Sequence, residues 1–93
     1  MGRTLKNKET REQIREQIYS LADQGFLTIQ EAVVGIRKMG GLTQIEFAKG
    51  IAISGATLKS IEQGKGNPRI LTLYKILSLA RLRITVGRMP KLT

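Results

Sequence analysis

Apolar residues recur along this chain at helical spacing, interrupted by short polar and glycine-containing breaks. Between Lys8 and Gln24, Ile14, Ile18, Leu21 and Ala22 fall at i, i+4, i+7 and i+8, a narrow stripe on a charged segment that Gly25 terminates. A stripe this thin buries only one edge. Residues 1–25 are therefore predicted to form an amphipathic appendage, packed on their own domain, on a second copy or on another protein. Thr28-Ile29-Gln30-Glu31 then has the form of a capping box, in which Thr28 and Glu31 satisfy each other's free backbone donors. The helix it opens is predicted to reach Lys38 with Ile29, Val33 and Ile36 inward, and Gly40-Gly41 ends it. Thr43-Gln44-Ile45-Glu46 repeats the signature, and Leu42 and Phe47 are spaced as a hydrophobic staple around it.

The next helix is short, Gln44 to Gly50, with Phe47, Ala48 and Ile51 inward. Ile51-Ala52-Ile53 reads as a turn, and Ser54 is a good N-cap for a helix to Gln63. In that helix Thr57, Leu58 and Ile61 share the core side with Ile53, while Gly55, Ala56, Lys59, Ser60 and Gln63 share a side that faces solvent or a ligand. Gly64-Lys65-Gly66-Asn67-Pro68 is a loop, and a last helix from Ile70 to Arg81 buries Ile70, Leu73, Ile76, Leu77 and Ala80. After it the period changes: Leu82, Ile84 and Val86 alternate with Arg83 and Thr85, as in a strand. A lone strand is unstable. Pairing with the same strand of a second molecule is preferred over the Phe26–Ile29 stretch, because Thr28 is committed to a cap. Three parts result: the helix of residues 1–25, a helical domain over 26–81, and a strand and tail over 82–93 that joins two copies.

Composition narrows the chemistry. The chain has 93 residues, no cysteine and no histidine, which removes disulfides, thiol nucleophiles, Cys/His zinc sites and imidazole catalysis. No carboxylate pair at a useful spacing points inward, so no enzyme activity and no cofactor are expected. Aromatics are only 4%, too few for a base-stacking platform on single strands. No apolar run is long enough for a membrane span and no signal-peptide pattern opens the chain, so a cytoplasmic protein is expected. Charge is unevenly placed. Residues 1–36 hold five bases and five acids, whereas 37–93 hold eleven bases against Glu46 and Glu62, so the whole excess of +9 lies in the latter part. A polyanion, most simply nucleic acid, suits that region.

Two short helices joined by a tight turn, the second with a small and polar outward side, describe a helix-turn-helix. The residues Gln44-x-x-Phe47-Ala48, Ile53-Ser54-x-x-Thr57-Leu58-x-x-Ile61-Glu62-x-Gly64, Pro68 and Thr72-Leu73-x-Lys75-Ile76-Leu77 resemble the Xre family of DNA-binding domains, of lambda-repressor and Cro type, over about Ile29 to Leu82. The resemblance implies an all-α, five-helix lambda-repressor-like domain, here with an extra N-terminal helix and a short C-terminal β-strand. Ala48 is small where the two helices cross. The recognition helix becomes 54–63, and family docking assigns base-edge contacts to Ser54, Gly55, Ala56, Thr57, Lys59 and Ser60, with Lys59 the best single candidate for guanine. Gln44 is assigned to a phosphate and to bracing the recognition helix, and Lys49, Lys65, Asn67 and Arg37 or Lys38 to phosphates. Glu62, acidic among bases, suits an ion pair with Arg37 or Lys38.

Two departures from the family pattern stand out. Ala52 occupies a turn position where glycine is usual and φ tends to be positive, and Ile45 is apolar where a polar residue is usual, so it is expected to meet the N-terminal helix or another protein. The Leu82-x-Ile84-x-Val86 tail together with Ala56-Thr57-Leu58 is similar to the DNA-binding antitoxins of Hip-type toxin–antitoxin pairs. That similarity implies a homodimer, joined through Leu82, Ile84, Thr85 and Val86, which binds an inverted repeat in double-stranded DNA and represses its own operon, with a kinase-like toxin as a further partner. The rival reading makes binding of a toxin or other partner protein the main task.

Overall fold

Each helix among the described residues stops on the same backbone reversal, and at least three of them start on a side-chain cap. The computed structural model describes residues 8–86, as α1 (Lys8–Gln24), α2 (Ile29–Met39), α3 (Gln44–Gly50), α4 (Gly55–Glu62) and α5 (Ile70–Ser78). Both predicted capping boxes are present, at Thr28/Glu31 and Thr43/Glu46, and Ser54 caps α4 by accepting from the Thr57 N–H. The Thr28 backbone N–H, then its hydroxyl, hold the Glu31 carboxyl below its usual range. The contribution of this box is therefore complete above the pKa of an unfolded glutamate and is lost as pH falls through the lower folded value.

At each helix end a residue in the left-handed region closes a Schellman motif, in which the following N–H returns to a carbonyl five residues back. Those bonds run from Phe26 to Leu21, Leu42 to Arg37, Ile53 to Ala48, Lys65 to Ser60 and Leu82 to Leu77, at 2.8–3.3 Å. Glycine fills the left-handed position at 25, 41 and 64, but Ala52 (φ 59°) and Arg81 (φ 56°) fill it after α3 and α5. A Cβ in that conformation meets the following carbonyl, so both sites carry strain.

The core is built by α2 to α5. Val33, Leu58 and Ile76 lie at its centre, with Ile36, Phe47, Ile61, Leu73 and Leu77 around them. α1 packs along α2, where Ile18 sits over Gly35 so closely that a Cβ on Gly35 would come within 2.5 Å of Ile18 Cδ1. Tyr19 Oη donates to the Ala80 carbonyl at 2.7 Å, which ties α1 to the far end of α5. The N-terminal helix thus docks on its own chain and is the first of the five helices among the described residues, not an addition to five.

Several inward and outward assignments shift. Ile29 and Ile70, expected in the core, are 45% and 71% exposed. Each is the first residue of its helix and projects past the body, where periodicity gives a direction but no neighbour. α2 buries Ala32, Val33, Gly35 and Ile36 instead, since a helix covered from two sides needs small residues on its close flank. Thr57, also expected inward, is exposed, and α5 ends at Ser78, three residues earlier than predicted. Residues 82–86 form no strand, and among the described residues there is no other; residues 87–93 of the predicted tail and 1–7 of the predicted appendage lie outside them. No described helix is long and apolar enough to cross a membrane.

Replacing Ala52 by glycine should relieve its left-handed strain and stabilise the fold by about 1 kcal/mol. Urea titration should show a higher midpoint with an unchanged slope, and a lower midpoint would mean that the strain is absent.

Candidate nucleic-acid interface

Glu62 is where α2, α3 and α4 meet. Its carboxylate accepts from Arg37 Nε at 2.8 Å on one oxygen, and from Arg37 Nη2 and Gln44 Nε2, both at 3.0 Å, on the other. Arg37 Nη1 donates to the Leu42 carbonyl at 3.0 Å. The two charged side chains are only 14% and 6% exposed, so the pair is largely withdrawn from water and held by a two-pronged fork. Arg37 was offered above as a phosphate contact. Its guanidinium is instead committed to Glu62 and Leu42, and it drops from that set. Gln44 retains the bracing part of its assignment, since its amide nitrogen grips the last residue of α4.

A second clamp holds the turn before α4. Lys75 Nζ donates to the Ile51 carbonyl at 2.8 Å, from α5 to the C-cap of α3, where a cation is favoured by the helix dipole. Lys75 stands in the family motif quoted above, but the sequence assigned it no role. The available signal was a lysine one residue from the buried Ile76-Leu77 pair, close enough to the core for its ammonium to reach a carbonyl.

Between these clamps α4 exposes Gly55, Ala56, Thr57 and Lys59, with Ser60 half-buried. A Cβ built on Gly55 would meet nothing within 4 Å. Ser54 Oγ is engaged locally, donating to Thr57 Oγ1 at 2.7 Å while accepting from Thr57 N–H at 3.0 Å. Ala56, Thr57 and Ser60 share one shallow groove with Lys65 and Asn67 of the following loop, so the structure brings those predicted residues onto a common surface. The loop is seated tightly: a Cβ on Gly64 (φ 71°) would strike the Gln30 side-chain amide. Lys49 is exposed in the last turn of α3. Lys38 stands apart, along the groove between α1 and α2 with Gln30 and Glu31. Arg69, passed over in the sequence, is exposed at the N-cap of α5 beside Pro68. Ile45 is 78% exposed, so it does not meet α1.

Residues 36–85 match the helix-turn-helix family, a span that contains α3, α4 and α5. The chain belongs to that family, in its Xre form. Antitoxin HipB of Escherichia coli strain K12 is 37% identical over 51 residues, 55% of this chain and 58% of that protein. Antitoxin HipB of Escherichia coli O6:H1 is also 37% identical over 51 residues, 55% of this chain and 54% of its own length. The chain therefore matches rather more than half the length of these relatives. No solved structure matches it significantly. Within this helix-turn-helix protein, the predicted recognition helix 54–63 coincides with the cap, body and C-cap of α4.

Truncating Glu62 to alanine leaves the Arg37 guanidinium partly buried without its anion. Breaking such a pair costs about 3 kcal/mol, so thermal unfolding of a domain of this size should shift down by roughly 12 °C or more. A change within about 0.5 kcal/mol, the scale of surface substitutions, would show that the network is dispensable.

Proposed function

We propose that this helix-turn-helix protein is a sequence-specific binder of double-stranded DNA that acts as a dimeric transcriptional repressor. The observation that carries the reading is α4, whose exposed side is made of small or flexible residues while its other side is fixed by Leu58, Ile61 and Glu62. A helix of this kind enters a major groove without steric obstruction, and its orientation is set before binding. Ser54, Gly55, Ala56, Thr57, Lys59 and Ser60 are the base-edge set. Gly55 permits close approach, the Ala56 methyl suits a thymine methyl, and Lys59 suits guanine O6 or N7. Lys49, Lys65 and Asn67 are the phosphate set, with Gln44 included through the second N–H of its amide, Arg69 added and Lys38 placed at its margin.

The C-terminal segment supplies the dimer in this reading. Leu82 packs against the core, whereas Ile84, Thr85 and Val86 are exposed, and no further backbone hydrogen bond is made beyond Leu82 among the described residues. An extended segment with free ladder groups is suited to pairing with its copy. In this proposal α1 (Lys8–Gln24) belongs to the same folding unit as 26–81, and the segment from Leu82 onward is the joining element. A second role, favoured by the relatives named Antitoxin HipB, is that of an antitoxin that binds a kinase-like toxin and silences the operon encoding both. Exposed Ile45 is a candidate contact for it.

Selection from a random duplex pool should return an inverted repeat with half-sites about 34 Å apart, and a pool without dyad symmetry would count against a dimer. Lys59→Ala should cost about 1–3 kcal/mol at one base pair and relax discrimination there, whereas Lys65→Ala should weaken all sequences alike and lower the salt slope by about 1. Uniform weakening by both would sink the division of roles.

Thr85→Pro removes a ladder donor, so sedimentation should show monomers and operator affinity should fall by at least about tenfold if the tails pair. An unchanged dimer would place the interface elsewhere.

A further inference from the structure

A cavity of about 500 Å³ lies between the first half of α1 and the rest of the domain. Its size falls within the roughly 300–1,000 Å³ range of small-molecule sites. The floor is apolar: Ile36, Phe47 and Ala80 are buried, and Met39 and Leu42 pack against them from the edge. The α1 side is charged, with Arg11, Glu12 and Arg15 all lining the cavity. Arg11 Nε is shielded from solvent and has no hydrogen-bond partner. A guanidinium donor in that condition forfeits its hydration with nothing in return, and an acceptor offered from the cavity restores the loss. Arg15 lies over the Tyr19 ring, 5.7 Å from its centroid, and Tyr19 is itself held by Ala80, so the second cation has a defined seat. The charged groups facing the space are thus two guanidiniums and one exposed carboxylate.

We infer that this cavity binds an amphipathic monoanion: an acyl chain or fused-ring body resting on Phe47 and Met39, with its carboxylate on Arg11 and Arg15. An apolar body alone leaves Arg11 unsatisfied, and an inorganic anion leaves the floor wet; only a ligand with both parts fits both surfaces. Phe47 belongs to α3, the first helix of the helix-turn-helix, so the ligand bridges α1 to the element that braces α4. The inference does not depend on which nucleic acid or protein the α4 surface meets.

The test is a titration of the isotopically labelled full chain, followed by NMR, with decanoate and 2-naphthoate below their aggregation limits and with decan-1-ol as the uncharged control. Saturable shifts are expected at Phe47, Met39 and Ala80 with at least one of the two carboxylates. Arg11→Gln should weaken that binding at least about tenfold, the range for a lost charge-assisted hydrogen bond, while its backbone spectrum away from α1 stays unchanged. Should Arg11→Gln loosen α1, Arg15→Gln gives the same comparison, and Glu12→Gln should tighten binding. Failure of both carboxylates to shift these residues, equal binding of decan-1-ol, or shifts centred instead on Leu82 and Ile84 would each overturn the inference.

Discussion

The geometry of this domain depends on one carboxylate. Glu62 is engaged by a base from α2 and an amide from α3 while sitting at the end of α4, so three helices cannot move independently without leaving an ionic group unpaired. Removing such groups from water is unfavourable in itself, and a well-packed apolar trio could hold the helices as firmly. What the ionic arrangement adds is direction: the guanidinium fork donates to its partner in one plane only. The α4 axis is therefore fixed at its C-terminal end by Glu62 and at its N-terminal end by the turn that Lys75 grips. Between these two points the helix is free to carry residues chosen for contact rather than for packing.

That division is visible in the residue types. Leu58 and Ile61 face the core, while the opposite side carries glycine, alanine, threonine and lysine, a composition with little value for stability. The balance of charge follows the same line. Residues 37–93 carry only Glu46 and Glu62 as acids; Glu46 is engaged in the cap of α3 and Glu62 is paired with Arg37.

Much of this was legible in the sequence, for a physical reason: signals made within a few residues survive without knowledge of the fold. Capping boxes at Thr28 and Thr43, the Ser54 cap and the glycine stops all describe local bonds. The left-handed turn at Ala52, expected from the glycine usual there, has φ 59°. Less local facts were harder. Hydrophobic spacing gave Ile29 and Ile70 an inward direction but could not show that nothing stands opposite the first turn of a helix. Counting large apolar residues overlooked Ala32 and Gly35, whose burial follows from α1 lying on α2. Charge alone could not separate Arg37 from Lys38, because the rotation of about 100° between adjacent helix residues decides which of the two bases reaches Glu62. The strand-like tail illustrates a further limit: alternation suggests an extended conformation but supplies no neighbour to pair with, and residues 82–86 form no strand.

The reversal after α5 has a mechanical corollary. Arg81 turns the chain left-handed, the Leu82 N–H is fastened to Leu77, and the neighbouring Ala80 carbonyl is held by the Tyr19 phenol. The segment of residues 83–86 therefore leaves the domain from a fixed point and in a set direction. Anything joined to it inherits an orientation as well as a proximity, much as a track gauge keeps two wheels at one separation whatever the carriage above them does.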